Sequence, residues 1–374
     1  MKVQRPHSGA AFFVYFCSVP SIAVSHRTGR YQVHVSPGVA AEGGTRIASL
    51  LPGRRLVLVT DPTIREALTG NGLWPAIDAT VIEVAAGERA KNREEWARVT
   101  DQLLALELGR DSALIALGGG SVGDLTGFVA ATYLRGVPFV QIPTTLLAMV
   151  DASVGGKVGV DTGAGKNLVG AFHPPALVLA DPRLLATVPD RVYREGLAEG
   201  VKHGVVADRE YFDWISANAA ALARRDAKVV EHFVTRSVEI KAGVVSRDEH
   251  ENGERAILNA GHTVGHALER LSNYSLAHGE AVAIGLVEEC RISERMGLAE
   301  KGLADTVARL LTELCLPVSH DPRPTAHDLF SAMTTDKKNR AGRIRMALPA
   351  AIGRVARDGD HWTIEVDPIG AKES

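Results

Sequence analysis

Residues 112–167 read SALIALGGGSVGDLTGFVAATYLRGVPFVQIPTTLLAMVDASVGGKVGVDTGAGKN. An apolar run, Ser112–Leu117, meets three glycines and then a helical pattern. Gly118, Gly120 and Gly123 match G-x-G-x-x-G where such a turn has meaning, after a strand and before a helix. Glycine allows the tight turn and lets backbone N–H groups approach a pyrophosphate, whose charge the helix N-terminus favours. A Pro-Thr-Thr turn follows at Pro143–Thr145, and then Asp151, Lys157 and Lys166. A pyrophosphate turn this close to groups suited to a small anion predicts a nicotinamide-using enzyme with a phosphorylated or carboxylated substrate.

One part of the usual dinucleotide fingerprint is missing. The acidic residue expected about 20 positions after the glycines is replaced by GVPFVQIP. Asp61, at the end of the strand-like RLVLVT (residues 55–60), is the better partner for a ribose. The glycine turn is then not the first strand-to-helix turn of its sheet, and the domain is a variant of the Rossmann plan. YQVHV (31–35), FVQIP (139–143) and ALVLA (176–180) read as further strands, and residues 92–106 as a helix. This alternation predicts a parallel α/β sheet.

After about Thr187 long helical patterns take over: 190–205, 211–223, 227–245, 261–271, 278–296 and 303–315. Short strands return at 343–348 and 353–355. The expected fold is an α/β N-terminal Rossmann-like domain plus a mostly α-helical C-terminal domain, with the active site in the cleft between them. The expected division is 1–29 as a disordered extension, 30–185 as the nucleotide-binding domain, and 186–374 as the metal- and substrate-binding domain.

Composition narrows the function classes. A net charge of −2 favours neither nucleic acid nor an anionic membrane. No apolar run has the roughly 18–20 residues of a bilayer span. Lys2, Arg5 and the apolar patch 10–16 only imitate a secretory signal, because Pro20 and SHRTGR offer no convincing cleavage site. Cys17, Cys290 and Cys315 are widely spaced and form no CxxC, so a reduced cytoplasmic protein is expected.

Three segments supply metal-ligand types. Glu199 and Lys202 lie three apart in REGLAEGVKHG; His262 and His266 lie four apart in NAGHTVGH; His278 opens a helical stretch in LAHGEAV. Glu, His and His would leave a fourth position open, as catalytic zinc sites do. From spacing alone, ordinary helix histidines are an equal alternative. Lys157, Lys166, Lys202, Lys241, Arg255, Lys337 and Lys338 could converge on a multiply charged substrate, although any one of them alone reads as a solvated cation.

Taken together, these segments resemble the sugar-phosphate cyclase family that contains the 3-dehydroquinate synthases, from about Tyr31 to Val366. The blocks that carry the resemblance are GGGSVGDLTGFVAATYLRG, QIPTTLLAMVDASVGGKVGV, GKNLVGAFHPP, GLAEGVKHG, DEHENGERAILNAGHTVGHALE, LAHGEAVAIG and DKKNRAGRIRMALPAAIGRV. The resemblance implies a divalent metal, zinc or alternatively cobalt, on Glu199, His262 and His278. It implies an NAD site from Asp61, Glu88, Lys91, Gly119, Gly120, Ser121, Gly123, Asp124, Thr144, Thr145, Lys157, Lys166 and Thr187. Substrate contacts would come from Asp151, Lys157, Asn167, Lys202, Lys241, Arg255, Asn259, His266, Lys337, Lys338 and the three metal ligands. Among these, Lys157, Lys202, Lys241, Arg255, Asn259 and His266 are the implied catalytic set, with His266 as a proton relay. Arg135 would reach a neighbouring subunit's phosphate site, which implies a homodimer.

The implied reaction takes 3-deoxy-D-arabino-heptulosonate 7-phosphate to 3-dehydroquinate and phosphate. A ring hydroxyl is oxidised by NAD, the acidified neighbouring C–H loses its proton, and phosphate leaves. The ketone is then reduced again, the ring opens, and an aldol addition closes the carbocycle. A sibling cyclase, such as an aminodehydroquinate synthase, would look much the same, and a metal-dependent polyol dehydrogenase shares the fold by analogy. Departures from the family pattern are small: Gly200 for an aliphatic residue, His203 for a tyrosine, Glu254 for a leucine, and Pro62-Thr63 after Asp61.

Overall fold

The protein is described here by a computed structural model covering residues 21–334 and 344–366. Its strands begin with β1 (Ser21–His26), β2 (Gly29–Val35), β3 (Arg55–Thr60), β4 (Thr80–Glu83), β5 (Ser112–Gly118) and β6 (Phe139–Pro143). They continue with β7 (Lys157–Thr162), β8 (Gly165–Phe172) and β9 (Leu177–Ala180). Seven of these form one sheet in the order β1-β2-β9-β6-β5-β3-β4. β1 and β2 pair antiparallel and the remaining neighbours pair parallel. β5 is buried along its whole length, as expected for a parallel strand covered on both faces.

The sheet starts earlier than the sequence reading placed it. Residues 21–29 belong to it, with Ser21 to His26 paired one for one with His34 to Gly29. The expectation of a disordered extension over 1–29 therefore fails for residues 21–29; residues 1–20 lie outside the described residues.

Helices α1 (Gly43–Leu50), α2 (Pro62–Gly70), α3 (Arg93–Ala105) and α4 (Gly120–Thr132) accompany the sheet. The chain runs from β3 to β4 on one side and then returns to β5 on the other. The order reverses between β3 and β5, so the crevice at their carboxyl ends is where a doubly wound sheet takes a ligand. Asp61 and the glycine turn stand at those two ends.

β7 and β8 form a separate antiparallel hairpin, which the sequence reading did not anticipate. It packs on α4, with Val158 and Val160 buried in the cluster that holds Leu125, Val129 and Phe139. The hairpin brings Lys166, at its turn end, within 3.8 Å of Glu88 at the nucleotide crevice, and sets Lys157, at its other end, against Glu251.

The second half is helical: α5 (Asp190–Ala207), α6 (Arg209–Ala223), α7 (Ala227–Arg247), α8 (His262–Leu271), α9 (His278–Arg295), α10 (Leu303–Glu313) and α11 (Ala326–Thr334). β10 (Ile344–Met346), β11 (Pro349–Ala351), β12 (Arg354–Val355) and β13 (Ile364–Val366) make two small antiparallel pairs. One continuous apolar core joins the sheet side of β2 and β9 to α5, α6, α7 and α9. Gly200 on α5 makes one of these contacts possible: a Cβ there would lie 2.0 Å from Cζ of Phe233 on α7. The aromatic ring fills the space that a side chain at position 200 would take. No helix among the described residues is long and apolar enough to cross a membrane.

Candidate active site

At the nucleotide crevice, Gly119 stands as N-cap of α4 and provides no side chain to cap it. The helix start is left for an anion. Thr144 donates its backbone N–H to the carbonyl of Gly118 over 2.9 Å, which fastens the Pro-Thr-Thr turn beside the glycines. Ser121 donates to Oε2 of Glu88 over 2.5 Å. Lys91 lies 2.6 Å from Oδ2 of Asp124, both of them at the foot of α4. Lys166 lies 3.8 Å from Oε1 of Glu88. Burial works against the charge on Lys91, but Asp124 and Glu88 outweigh it and hold the ammonium firmly protonated. Asp61 is buried, and its Oδ1 accepts from Thr63 at 2.6 Å and from the N–H of Ile64 at 3.0 Å, capping α2. Thr187 ends a short turn after β9, its hydroxyl donating to the carbonyl of Leu184 over 2.9 Å.

Deeper in the cleft, the Glu199 side chain on α5 is fully buried. Its Oε1 lies 3.5 Å from Nε2 of His262 and 3.4 Å from Nε2 of His278. Its Oε2 lies against the Lys202 ammonium. Neither oxygen has a hydrogen bond of sound geometry. Buried carboxylate oxygens left in that state cost free energy, and a cation between Glu199 and the two imidazoles would satisfy them. The three candidate ligand atoms lie within 4.8 Å of one another. The residues present therefore fit a three-ligand divalent metal set with an open position.

Protonation differs across the three residues. Burial opposes ionisation of Glu199, but Lys202 and the imidazoles outweigh it and hold the carboxyl well below its ordinary range. His262 is kept neutral by burial and by Lys202. Burial also opposes charging His278, but its contacts with Glu199 and Glu269 prevail and raise the imidazole to about 10. A proton thus stands on His278 where a metal would otherwise balance the two carboxylates.

Two other sets meet the same distance criterion: His266 with Glu269 and His278, and Asp151 with Glu199 and His203. In the latter, Lys241 lies 2.8 Å and Lys202 3.9 Å from Oδ1 of Asp151. Two ammonium groups already neutralise that site. His266 sits beside the metal set, its ring centroid 5.3 Å from that of His262 and 6.1 Å from that of His278.

The anion groups gather around Asp151, which lies in a π-helical turn, residues 148–152. Such turns frequently mark functional positions. Arg255 is buried and donates from Nη2 to the carbonyl of Gly155 at 3.2 Å. Gly155 has φ +106°, and a Cβ there would meet the guanidinium at 2.4 Å; a left-handed residue without a side chain is what brings this loop over Arg255. Lys157 pairs with Glu251, and Asn259 donates to the same carboxylate. Glu251 therefore holds two of the groups expected to bind a substrate anion. Asn167, at φ +55°, donates its N–H to Oδ1 of Asp161 over 2.7 Å. Arg135 is exposed, at φ +66° in the turn after α4. Lys337 and Lys338 lie outside the described residues.

Three residues at the site were not anticipated. Glu269 lies between Lys166 and His278; Glu251 holds Lys157 and Asn259; buried His203 faces Asp151 at 3.6 Å. Glu269 and Glu251 stand inside the DEHENGERAILNAGHTVGHALE block, but their neighbours are distant in sequence.

The fold and the site define a class: an α/β domain with a dinucleotide turn set against a helical domain bearing a Glu-His-His cluster. The family models described as 3-dehydroquinate synthase N-terminal and C-terminal match residues 81–195 and 196–339. The chain is 44% identical over 351 residues to the 3-dehydroquinate synthase of Paracoccus denitrificans (strain Pd 1222), covering 90% of this chain and 94% of that one. It is 44% identical over 332 residues to that of Halorhodospira halophila (strain DSM 244 / SL1), covering 88% and 93%. The chain belongs to the 3-dehydroquinate synthase family.

Among solved structures, 2-deoxy-scyllo-inosose synthase complexed with carbaglucose-6-phosphate, NAD+ and Co2+ superposes with TM-score 0.82 at 25% identity, covering 94% of this chain and 98% of that one. The 2-epi-5-epi-valiolone synthase of Streptomyces hygroscopicus subsp. jinggangensis 5008, with NAD+ and Zn2+ bound, gives 0.80 at 30% identity, covering 91% and 94%. A probable glycerol dehydrogenase from Sinorhizobium meliloti 1021, at 17% identity and TM-score 0.63, shares the fold over 81% of this chain and 88% of that one.

Proposed function

We propose that this protein converts 3-deoxy-D-arabino-heptulosonate 7-phosphate to 3-dehydroquinate and phosphate, the second step of the shikimate pathway. The observation that carries the reading is an unbroken polar path across the cleft. It runs from Ser121 through Glu88, Lys166, Glu269 and His278 to Glu199, and then through Lys202 to Asp151 and Lys241. This path supports reading the nucleotide turn, metal set and anion cluster as parts of one site.

When bound, NAD supplies reversible hydride transfer and the divalent ion, zinc or cobalt, supplies Lewis acidity at the sugar. The chain's own residues do the rest. Glu199, His262 and His278 hold the ion. Gly119, Gly120 and the uncapped start of α4 take the pyrophosphate, with Asp61, Glu88, Lys91 and Asp124 beside it. Lys202, wedged between Glu199 and Asp151, fixes both carboxylates and presents a charge to the sugar. Lys157, Asn259 and Arg255 orient the anionic ends of the substrate, a proximity effect, with Lys157 and Asn259 released from Glu251 as the substrate's anion takes its place. His266 relays a proton beside the metal set. A cytoplasmic homodimer completes the reading, and the exposed Arg135 supports a reach towards the partner.

The test is phosphate release from the heptulosonate with NAD at catalytic concentration. Stoichiometric phosphate with no accumulation of NADH supports the reading. Accumulating NADH with a polyol and no phosphate release would point to a dehydrogenase, and turnover of an amino-substituted heptulosonate alone would point to a sibling cyclase.

A further inference from the structure

Glu269 lies on α8, seven residues after His262, and is almost fully buried. A carboxylate in that position needs partners, and it has two from opposite sides. Lys166 of the β7–β8 hairpin donates to its Oε1 over 3.2 Å. Nδ1 of His278 lies 3.6 Å from the same oxygen. The other ring nitrogen of His278, Nε2, faces Glu199 at 3.4 Å. Lys166 is itself held over the ring of Tyr274 at 4.8 Å and near Glu88 at 3.8 Å.

We propose that Glu269 is a positioning residue for the metal site: it fixes the His278 ring with Nδ1 turned to its own carboxylate and Nε2 turned to the ion. The inference rests on the reading that Glu199, His262 and His278 hold the metal. It assigns Glu269 a supporting place rather than a ligand's place, although His266, Glu269 and His278 could hold an ion by distance alone. Two facts decide between them. Oε1 of Glu269, the oxygen nearest His278, already accepts from Lys166, whereas Lys202 pairs with Oε2 of Glu199 and leaves Oε1, the oxygen turned to both imidazoles, without a hydrogen bond. Glu199 is faced by Nε2 of both His262 and His278, whereas Glu269 meets His278 from the Nδ1 side. A ligating imidazole commonly donates its second N–H to a carboxylate, which sets its tautomer and orientation. Through Lys166 the same carboxylate is tied to the nucleotide side of the cleft.

The experiment uses the full chain stripped of metal and titrated with Co2+, read by its visible absorption and by competition with a chelator. Glu269→Gln keeps the shape and removes the charge; Glu269→Asp keeps the charge and withdraws it by one methylene. Glu269→Gln should weaken Co2+ binding about 10- to 100-fold and shift the visible band. NAD affinity of the metal-free protein and the thermal midpoint should stay near wild type. Glu269→Asp should lose less. Wild-type Co2+ affinity and spectrum in Glu269→Gln, with His262→Ala having lost both, would overturn the inference and leave the metal site standing. Wild-type Co2+ affinity in His262→Ala would overturn the metal assignment itself, and this inference with it.

Discussion

Nζ of Lys241 on α7 lies 2.8 Å from the side-chain Oδ1 of Asp151 and donates to that residue's backbone carbonyl over 2.6 Å. Burial lowers the lysine's pKa, Asp151 resists, and Arg255 adds to the lowering, so the ammonium titrates at about 8. An ammonium that serves an anion must be charged, and below about pH 8 it is. The substrate phosphate, with its second pKa near 6, is already a dianion there. kcat/KM, which reports groups of the free enzyme, should therefore decline as pH rises through about 8. In Lys241→Arg, whose charge does not titrate in this range, that decline should vanish even if the plateau is lower. Steady-state rates from pH 6.5 to 9.5 check this, and an unchanged alkaline limb in the variant would move the titration to another group.

Helix α5 carries Glu199, Lys202 and His203, and its closeness to α7 depends on Gly200 facing Phe233. Placing a side chain there should be costly. Gly200→Ala is expected to destabilise by about 1–3 kcal/mol through overpacking. Phe233→Leu alone should also destabilise, but the double variant should be more stable than the sum of the two losses allows, because the smaller residue makes room. Denaturant unfolding of the four proteins measures the coupling. Strict additivity would mean the ring and the glycine do not compete for one space.

The strand, glycine turn and helix proposed for the nucleotide were legible in the sequence because their signal is local. A strand, three glycines and a helix adjoin in the chain, and Asp61 follows its own strand. β1 escaped notice because SIAVSH follows an apolar stretch that resembles a leader more than a sheet edge. The β7–β8 hairpin escaped because its glycines hide the alternation, and its place is decided by packing on α4. The places of Glu269, Glu251 and His203 in the site were not legible for a related reason. Each owes its role to a neighbour far along the chain: Lys166 for Glu269, Lys157 for Glu251, Asp151 for His203. Spacing within a helix can suggest which residues share a face, but it cannot say what crosses to meet them.

His262→Ala removes one of the three proposed metal ligands and leaves the residues of the nucleotide crevice untouched. Loss of Lewis acidity worth several kcal/mol predicts at least about a 10³-fold fall in phosphate release, with NAD affinity retained. Metal analysis of the purified variant should show loss of the bound ion. Prolonged chelation of the wild-type protein should reproduce the rate loss, and added Zn2+ or Co2+ should restore the wild type but not the variant. Full activity in a chelator-treated His262→Ala protein would remove the metal from the reaction.

Lys157 divides substrate binding from cofactor binding most clearly. It begins β7 with a side chain about half exposed, paired with Glu251, whose carboxylate also receives Asn259. An exposed pair of this kind adds little to stability, so Lys157→Ala should fold and melt much as the wild type does. Its function should suffer through the substrate. A charge-assisted hydrogen bond worth about 1.5–3 kcal/mol corresponds to roughly a 10- to 150-fold fall in kcat/KM. Part of that loss should be recovered in Lys157→Arg, which keeps the charge. NAD binding should be unaffected, because the groups beside the glycine turn, Glu88, Lys91, Ser121 and Asp124, pair with one another and with Lys166, and none of those contacts passes through Lys157. Cofactor titration by fluorescence, set beside steady-state kinetics, separates the two effects. A collapse of NAD affinity would place Lys157 on the nucleotide and make Asn259 and Arg255 the remaining candidates for the substrate's anion.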